Sequence, residues 1–215
     1  MQSRKETAWK KSRKFGDIKG GRMRTKLADN VFHRCHSLER PSDDEELPIY
    51  MQDNTSKSFY HPIDVADIEK QLKLMPTENV DKLTHIWLRK VKKADYDAGK
   101  GFQACFIKGS GINLIVLNAF PIDLKMRFGK NKPEPKNTNQ YVRWTDKLES
   151  DEKGWYLVWT EETIKDYFLN YLLSYIIGHF VESKYEQYYS KADRVKRDNF
   201  ASSFARVWYY KHFYK

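Results

Sequence analysis

Tyr175, His179 and Asp198 have the chemical types and the spacing to meet at one place. The first two lie in Leu172-Leu-Ser-Tyr-Ile-Ile-Gly-His-Phe-Val-Glu182, a stretch apolar on almost every side between Tyr167 and Val181. That pattern predicts a central, buried helix. Residues four apart share a helix face, so Tyr175 and His179 stand one above the other. Asp198 sits in Arg197-Asp-Asn-Phe-Ala-Ser-Ser-Phe-Ala205, on the next helix. Buried polar groups need partners, so Tyr175 and His179 are expected to bond each other or Asp198. His179 and Glu182 also fit the start of His-x-x-Glu-His, but Ser183 stands where the second histidine would be. Elsewhere, His33-Arg-Cys35-His36 has metal-ligand chemistry but needs further ligands from outside the cluster. Gly109-Ser-Gly111 lacks the lysine of a phosphate loop, and Asp95 with Asp97 is too weak a carboxylate pair.

These residues must be positioned by the surrounding elements. Pro62 precedes a helical stripe of Ile63, Val65, Ile68, Leu72 and Met75, and Pro76 ends it, predicting a helix over 62–75. Residues 83–91, 102–107, 112–117 and 155–159 read as strands, with Lys108-Gly-Ser-Gly111 as a hairpin turn. Leu83, Ile86, Trp87 and Leu88 read as sheet core. Residues 129–139 read as a polar loop and 140–150 as a short helix. Lys125, Arg127, Lys130 and Lys132 fall in loop-prone sequence, where a mobile basic loop can meet phosphate. Thr160 has the type of an N-cap, with Glu161 and Glu162 in the first turn of a helix running to about residue 189. A second helix spans about 191–211. The order predicts an α+β body with a small sheet packed on two long C-terminal helices.

Together, Tyr175-Ile-Ile-Gly-His179 and the Asp198 segment resemble the zincin-type metallopeptidases. In that family one helix carries His-Glu-x-Gly-His and a later helix supplies an acidic ligand. Gly178 and His179 match the end of the motif, and Asp198 falls at the third ligand position. Tyr175 replaces the first histidine and Ile176 replaces the catalytic glutamate. An isoleucine accepts no proton, and a phenol of pKa near 10 is a poor zinc ligand at neutral pH. The resemblance therefore implies a zincin-like body over 61–215 without peptidase chemistry: no catalytic residue, no bound metal and no cofactor.

The 39 Lys+Arg exceed the 29 Asp+Glu, and the excess is uneven. Residues 1–26 hold ten Lys/Arg and two acids, a net of +8, leaving +2 for the other 189 residues. Residues 1–40 read as a basic, extended or mobile arm, and 41–60, with an acidic run between Pro41 and Pro48, as a linker. Arg4, Lys5, Lys10, Lys11, Arg13, Lys14, Arg22, Arg24 and Lys26 supply phosphate contacts, with Trp9 and Phe15 as stackers. A solvated tail, or one packing on an acidic partner, is the alternative. Residues 184–215 form a second basic cluster dense in aromatics, which suggests docking on a body or partner.

Two cysteines exclude a disulfide framework, and no apolar run reaches the ~20 residues of a membrane span. The opening residues lack a secretory core segment, so a cytoplasmic location is expected. These features lead to one expectation: a non-enzymatic nucleic-acid-binding accessory subunit with protein partners and no membrane contact. By analogy it suits mobile-element or defence assemblies. The rivals are an active zinc metallopeptidase with an atypical site and a pure protein-interaction module.

Overall fold

The computed structural model describes residues 38–42, 44–99, 101–109, 111–185 and 194–213. The expected nucleic-acid contacts Arg4, Lys5, Trp9, Lys10, Lys11, Arg13, Lys14, Phe15, Arg22, Arg24 and Lys26 lie outside the described residues, as do His33, Cys35 and His36.

The architecture is mixed α+β. Strands β1 (Ile49–Gln52), β3 (His85–Arg89), β5 (Ile112–Asn118) and β4 (Ala104–Gly109) form one sheet in the order β1-β3-β5-β4. The first three run parallel, and β4 pairs antiparallel with β5 through the expected hairpin. A two-stranded pair joins β2 (Phe59–Tyr60) to β6 (Phe120–Pro121). A third, antiparallel sheet runs β7 (Lys125–Gly129), β9 (Gly154–Val158), β8 (Leu148–Asp151).

Short helices fill the connections: α1 (Val65–Leu74), α2 (Thr77–Val80), α3 (Lys93–Asp97) and α4 (Pro135–Thr138). Asp64 caps α1 by accepting from the Asp67 backbone N–H at 2.8 Å, and the Asp67 side chain accepts from the Asp64 N–H. Helix α5 is continuous from Glu161 to Ser183: a first α segment Glu161–Asp166, a π-helical stretch Tyr167–Leu172, then Leu173–Ser183. Helix α6 spans Arg194–His212.

Strand β5 explains the layering. Its sequence is apolar at nearly every position because both faces are covered. Ile115 and Leu117 point with Ile86 and Leu88 into the main core, which α1, α5 and Trp208 of α6 complete. Ile112, Leu114 and Val116 point the other way with Trp87. Thr84 clips the start of β3 to β5: its hydroxyl donates to the Asn113 carbonyl at 2.9 Å and accepts from the Asn113 N–H at 2.8 Å. Phe120 is fully buried and meets Tyr96, Trp159 and Phe168 edge-on, so one aromatic ties a strand to α5.

Several local expectations change. The stretch 41–60 holds β1 and β2, and β1 pairs with β3 over all four of its residues. The stretch 140–150 holds no α-helix. Asn139–Tyr141 is a single 3-10 turn, and β8 occupies Leu148–Asp151. Lys125 and Arg127 sit in β7 rather than in a loop. The Arg127 guanidinium forks onto Asp151 with two 2.9 Å bonds and lies over the Tyr156 ring. This pairing holds the Asp151 carboxyl well below the usual carboxylate range. The residues expected to extend α5 beyond 185 lie outside the described residues. No helix among the described residues is long and apolar enough to cross a membrane.

Candidate functional site

Helix α5 begins at a reciprocal cap. The Thr160 hydroxyl accepts from the Thr163 N–H and the Thr163 hydroxyl accepts from the Thr160 N–H, both at 3.1 Å. Its other end is held by cations. The Lys108 ammonium donates to the Ser183 carbonyl at 2.8 Å, and Lys184 donates to the Glu78 carbonyl at 2.6 Å and pairs with Asp81. Between these anchors a ladder of rings runs along one face: Tyr167, Tyr171 and Tyr175 stack in sequence, and His179 meets Tyr175 edge-on at 4.9 Å.

Helix α6 crosses this ladder. Close approach is possible because residue 178 has no side chain: a Cβ there would stand 2.9 Å from the Ala201 Cα. The opposing α6 positions, Ala201 and Ala205, are small and fully buried. The crossing delivers Asp198 to the ladder. The Tyr175 hydroxyl donates to Asp198 Oδ1 at 3.4 Å. His179 Nε2 lies 3.7 Å from the same oxygen, beyond hydrogen-bond length, and His179 Nδ1 lies 4.0 Å from Glu182 Oε2. The Arg194 guanidinium also approaches Asp198, at 3.8 Å from Oδ2, with its side chain largely in solvent.

The electrostatics follow from burial. Loss of water, reinforced by the Asp198 charge, pushes the Tyr175 phenol far up and keeps it protonated. Burial lowers the His179 imidazole, and Asp198 opposes that only in part. Glu182 is 1% exposed, and neither carboxylate oxygen has a hydrogen-bond partner among the described residues. Its carboxyl is accordingly pushed up. Ile176 is 2% exposed and belongs to the core.

Tyr175, His179 and Asp198 are thus brought together across two helices, and Ile176 points into the core. Glu182 is the fourth member; its spacing of three from His179 was the signal for it. A separate cavity of about 630 Å³ is lined by Glu45, Glu46, Tyr50, Glu69, Leu72 and Met75, among others, and shares no residue with the cluster.

Compared with protein-family models, with curated proteins and with solved structures, the chain finds no match in any of the three.

Proposed function

We propose that this chain is a non-enzymatic, nucleic-acid-binding accessory protein whose body is a zincin-like scaffold without a hydrolytic centre. The observation that carries the reading is the pairing of Tyr175 with Asp198, 3.4 Å apart, where the family resemblance would place two metal ligands. The residues present do not fit zinc. The phenol is held protonated, and among the described residues no three His, Cys, Asp or Glu groups converge as a ligand set. The position beside the first ligand is Ile176, which cannot take a proton from water. The cluster instead supports a structural role: three polar groups that tie α6 to α5.

The binding role is supported by charge. Residues 1–26 carry a net +8 with Trp9 and Phe15 among the cations, chemistry suited to phosphates and bases. Protein partners in a larger assembly belong to the same reading.

The test has two arms on the purified full chain. Zinc content and chelator-sensitive proteolysis are measured first; neither is expected, and stoichiometric zinc with chelator-sensitive cleavage would establish a metallopeptidase instead. Anisotropy of labelled DNA and RNA oligonucleotides is then followed against salt. Affinity should fall steeply as salt rises, and changing Lys10, Lys11, Arg13 and Lys14 to Gln should weaken it. Absence of salt-sensitive binding would overturn the reading in favour of a protein-interaction module.

A further inference from the structure

The net charge divides the chain into three parts. Residues 27–193 hold 23 Lys/Arg and 26 acids, a net of −3, whereas residues 194–215 hold six Lys/Arg and one acid. The basic character outside residues 1–26 therefore belongs to the segment that contains α6.

The geometry of α6 divides that charge: Arg194 and Arg197 lie towards Asp198 and Glu182, whereas Lys196, Arg206 and Lys211 face outward. Ala201, Ala205 and Trp208 are buried against the body. The single acid, Asp198, is half-exposed and lies on the side of the helix that meets Tyr175 and His179. Lys196, Asn199, Ser203, Arg206 and Tyr210 recur at steps of three and four, which places them on one outward stripe. Lys196, Asn199, Ser203, Arg206 and Lys211 are all exposed. Phe200, Val207 and Tyr210 share that side and are 36%, 67% and 53% exposed. Arg143, from the turn before β8, adds its guanidinium over the rings of Tyr209 and Tyr210, at 4.0 and 5.0 Å from their centroids. At 19 residues the helix is about 28 Å long.

We propose that this outward face of α6 is a contact surface for single-stranded nucleic acid, separate from residues 1–26; the inference rests on the nucleic-acid reading above. Cations and exposed rings are interleaved on this face, and the one carboxylate of α6 among the described residues, Asp198, lies off it. A membrane-surface helix keeps its cations and its apolar residues on separate strips. An interleaved face meets a partner that presents phosphates and flat apolar surfaces side by side, and a strand with unpaired bases does so. Lys196, Arg206 and Lys211 would neutralise phosphates, Asn199 and Ser203 would bond sugar or phosphate oxygens, and Tyr210 would stack on a base.

The test uses the full chain and a fluorescein-labelled 25-nucleotide single-stranded DNA, with anisotropy read over a salt series. Three variants are compared: Lys196→Gln with Arg206→Gln and Lys211→Gln; Tyr210→Ala; and the four-residue arm variant at Lys10, Lys11, Arg13 and Lys14. Because the α6 residues are exposed, their variants should keep the wild-type melting midpoint. The helix triple should weaken binding about tenfold at 100 mM salt and lower the slope of log K against log salt by about 2. Tyr210→Ala should weaken binding about fivefold with the slope unchanged. If the arm variant weakens binding while both α6 variants bind as wild type, α6 is not a contact surface and the functional reading stands. If the wild-type chain shows no salt-dependent binding, that reading falls and this one with it. Displacement of the oligonucleotide by polyglutamate of matched charge would also overturn the proposal, since it would make the face a general anion surface.

Discussion

Gly178 of α5 and Ala201 of α6 approach so closely that a methyl group on residue 178 would stand 2.9 Å from the Ala201 Cα and 3.2 Å from its carbonyl oxygen. The two helices therefore meet backbone to backbone, and the polar cluster beside the crossing inherits its geometry from that contact. Gly178→Ala gains about 1 kcal/mol in helix propensity, which offsets part of an overpacking cost of about 1–3 kcal/mol. Gly178→Val adds more bulk with little propensity gain. It should lower the thermal midpoint clearly, by about 2–4 °C for each kcal/mol, in a calorimetric scan.

Glu182 is buried without a hydrogen-bond partner among the described residues, and its carboxyl is raised above the ordinary value of 4.5. Between the ordinary and the raised value the folded chain holds a proton that the unfolded chain has lost. The stabilisation is complete below that window and disappears as pH rises through it. Glu182→Gln should therefore melt above wild type at pH 7, by about 2–4 °C, and converge with it near pH 4. A lower midpoint for Gln at pH 7 would show that the charged carboxylate has an essential partner.

His179 has the opposite sign. Burial lowers it from 6.5, so the unfolded chain takes up the proton first as pH falls. Its contribution is present above 6.5 and is lost as pH drops from there towards the lowered value. A His179→Gln chain should show a flatter midpoint-against-pH curve below 6.5 than wild type. Identical curves would mean that the imidazole does not change its protonation on unfolding.

The reciprocal cap at Thr160 and Thr163 satisfies the first turn of α5. Thr160→Ala should cost about 1 kcal/mol, and Thr160→Asp should restore most of it. Chemical denaturation with an unchanged m-value is the check.

The helices and the inner strands were readable because their patterns are local. Pro62 and Pro76 bracket α1, Thr160 announces α5, and Ile112–Leu117, apolar at all but Asn113, reads as a strand. What escaped depends on partners distant in sequence. Strand β1 follows an acidic run and has four residues; its parallel register with His85–Arg89 leaves no local trace. Strand β8, Leu-Glu-Ser-Asp, is mostly exposed, and its place is fixed by antiparallel pairing to β9 across the turn at Gly154, whose φ of +119° only glycine adopts freely. Lys125 and Arg127 looked like loop cations because Asp151 and Tyr156, which engage them, lie over twenty residues away. At the site, the meeting of Tyr175, His179 and Asp198 was legible from spacing, whereas the burial of Glu182 without a hydrogen-bond partner among the described residues depends on how the helices pack.

The widened winding at Tyr167–Leu172 sets the azimuth of everything after it. Removing one residue there would turn the rest of α5 by about 100°. Tyr175, His179 and Gly178 would leave α6 together, and apolar side chains would swing into the crossing. The angular offset stored in that half-dozen residues thus acts as the setting screw of the helix pair.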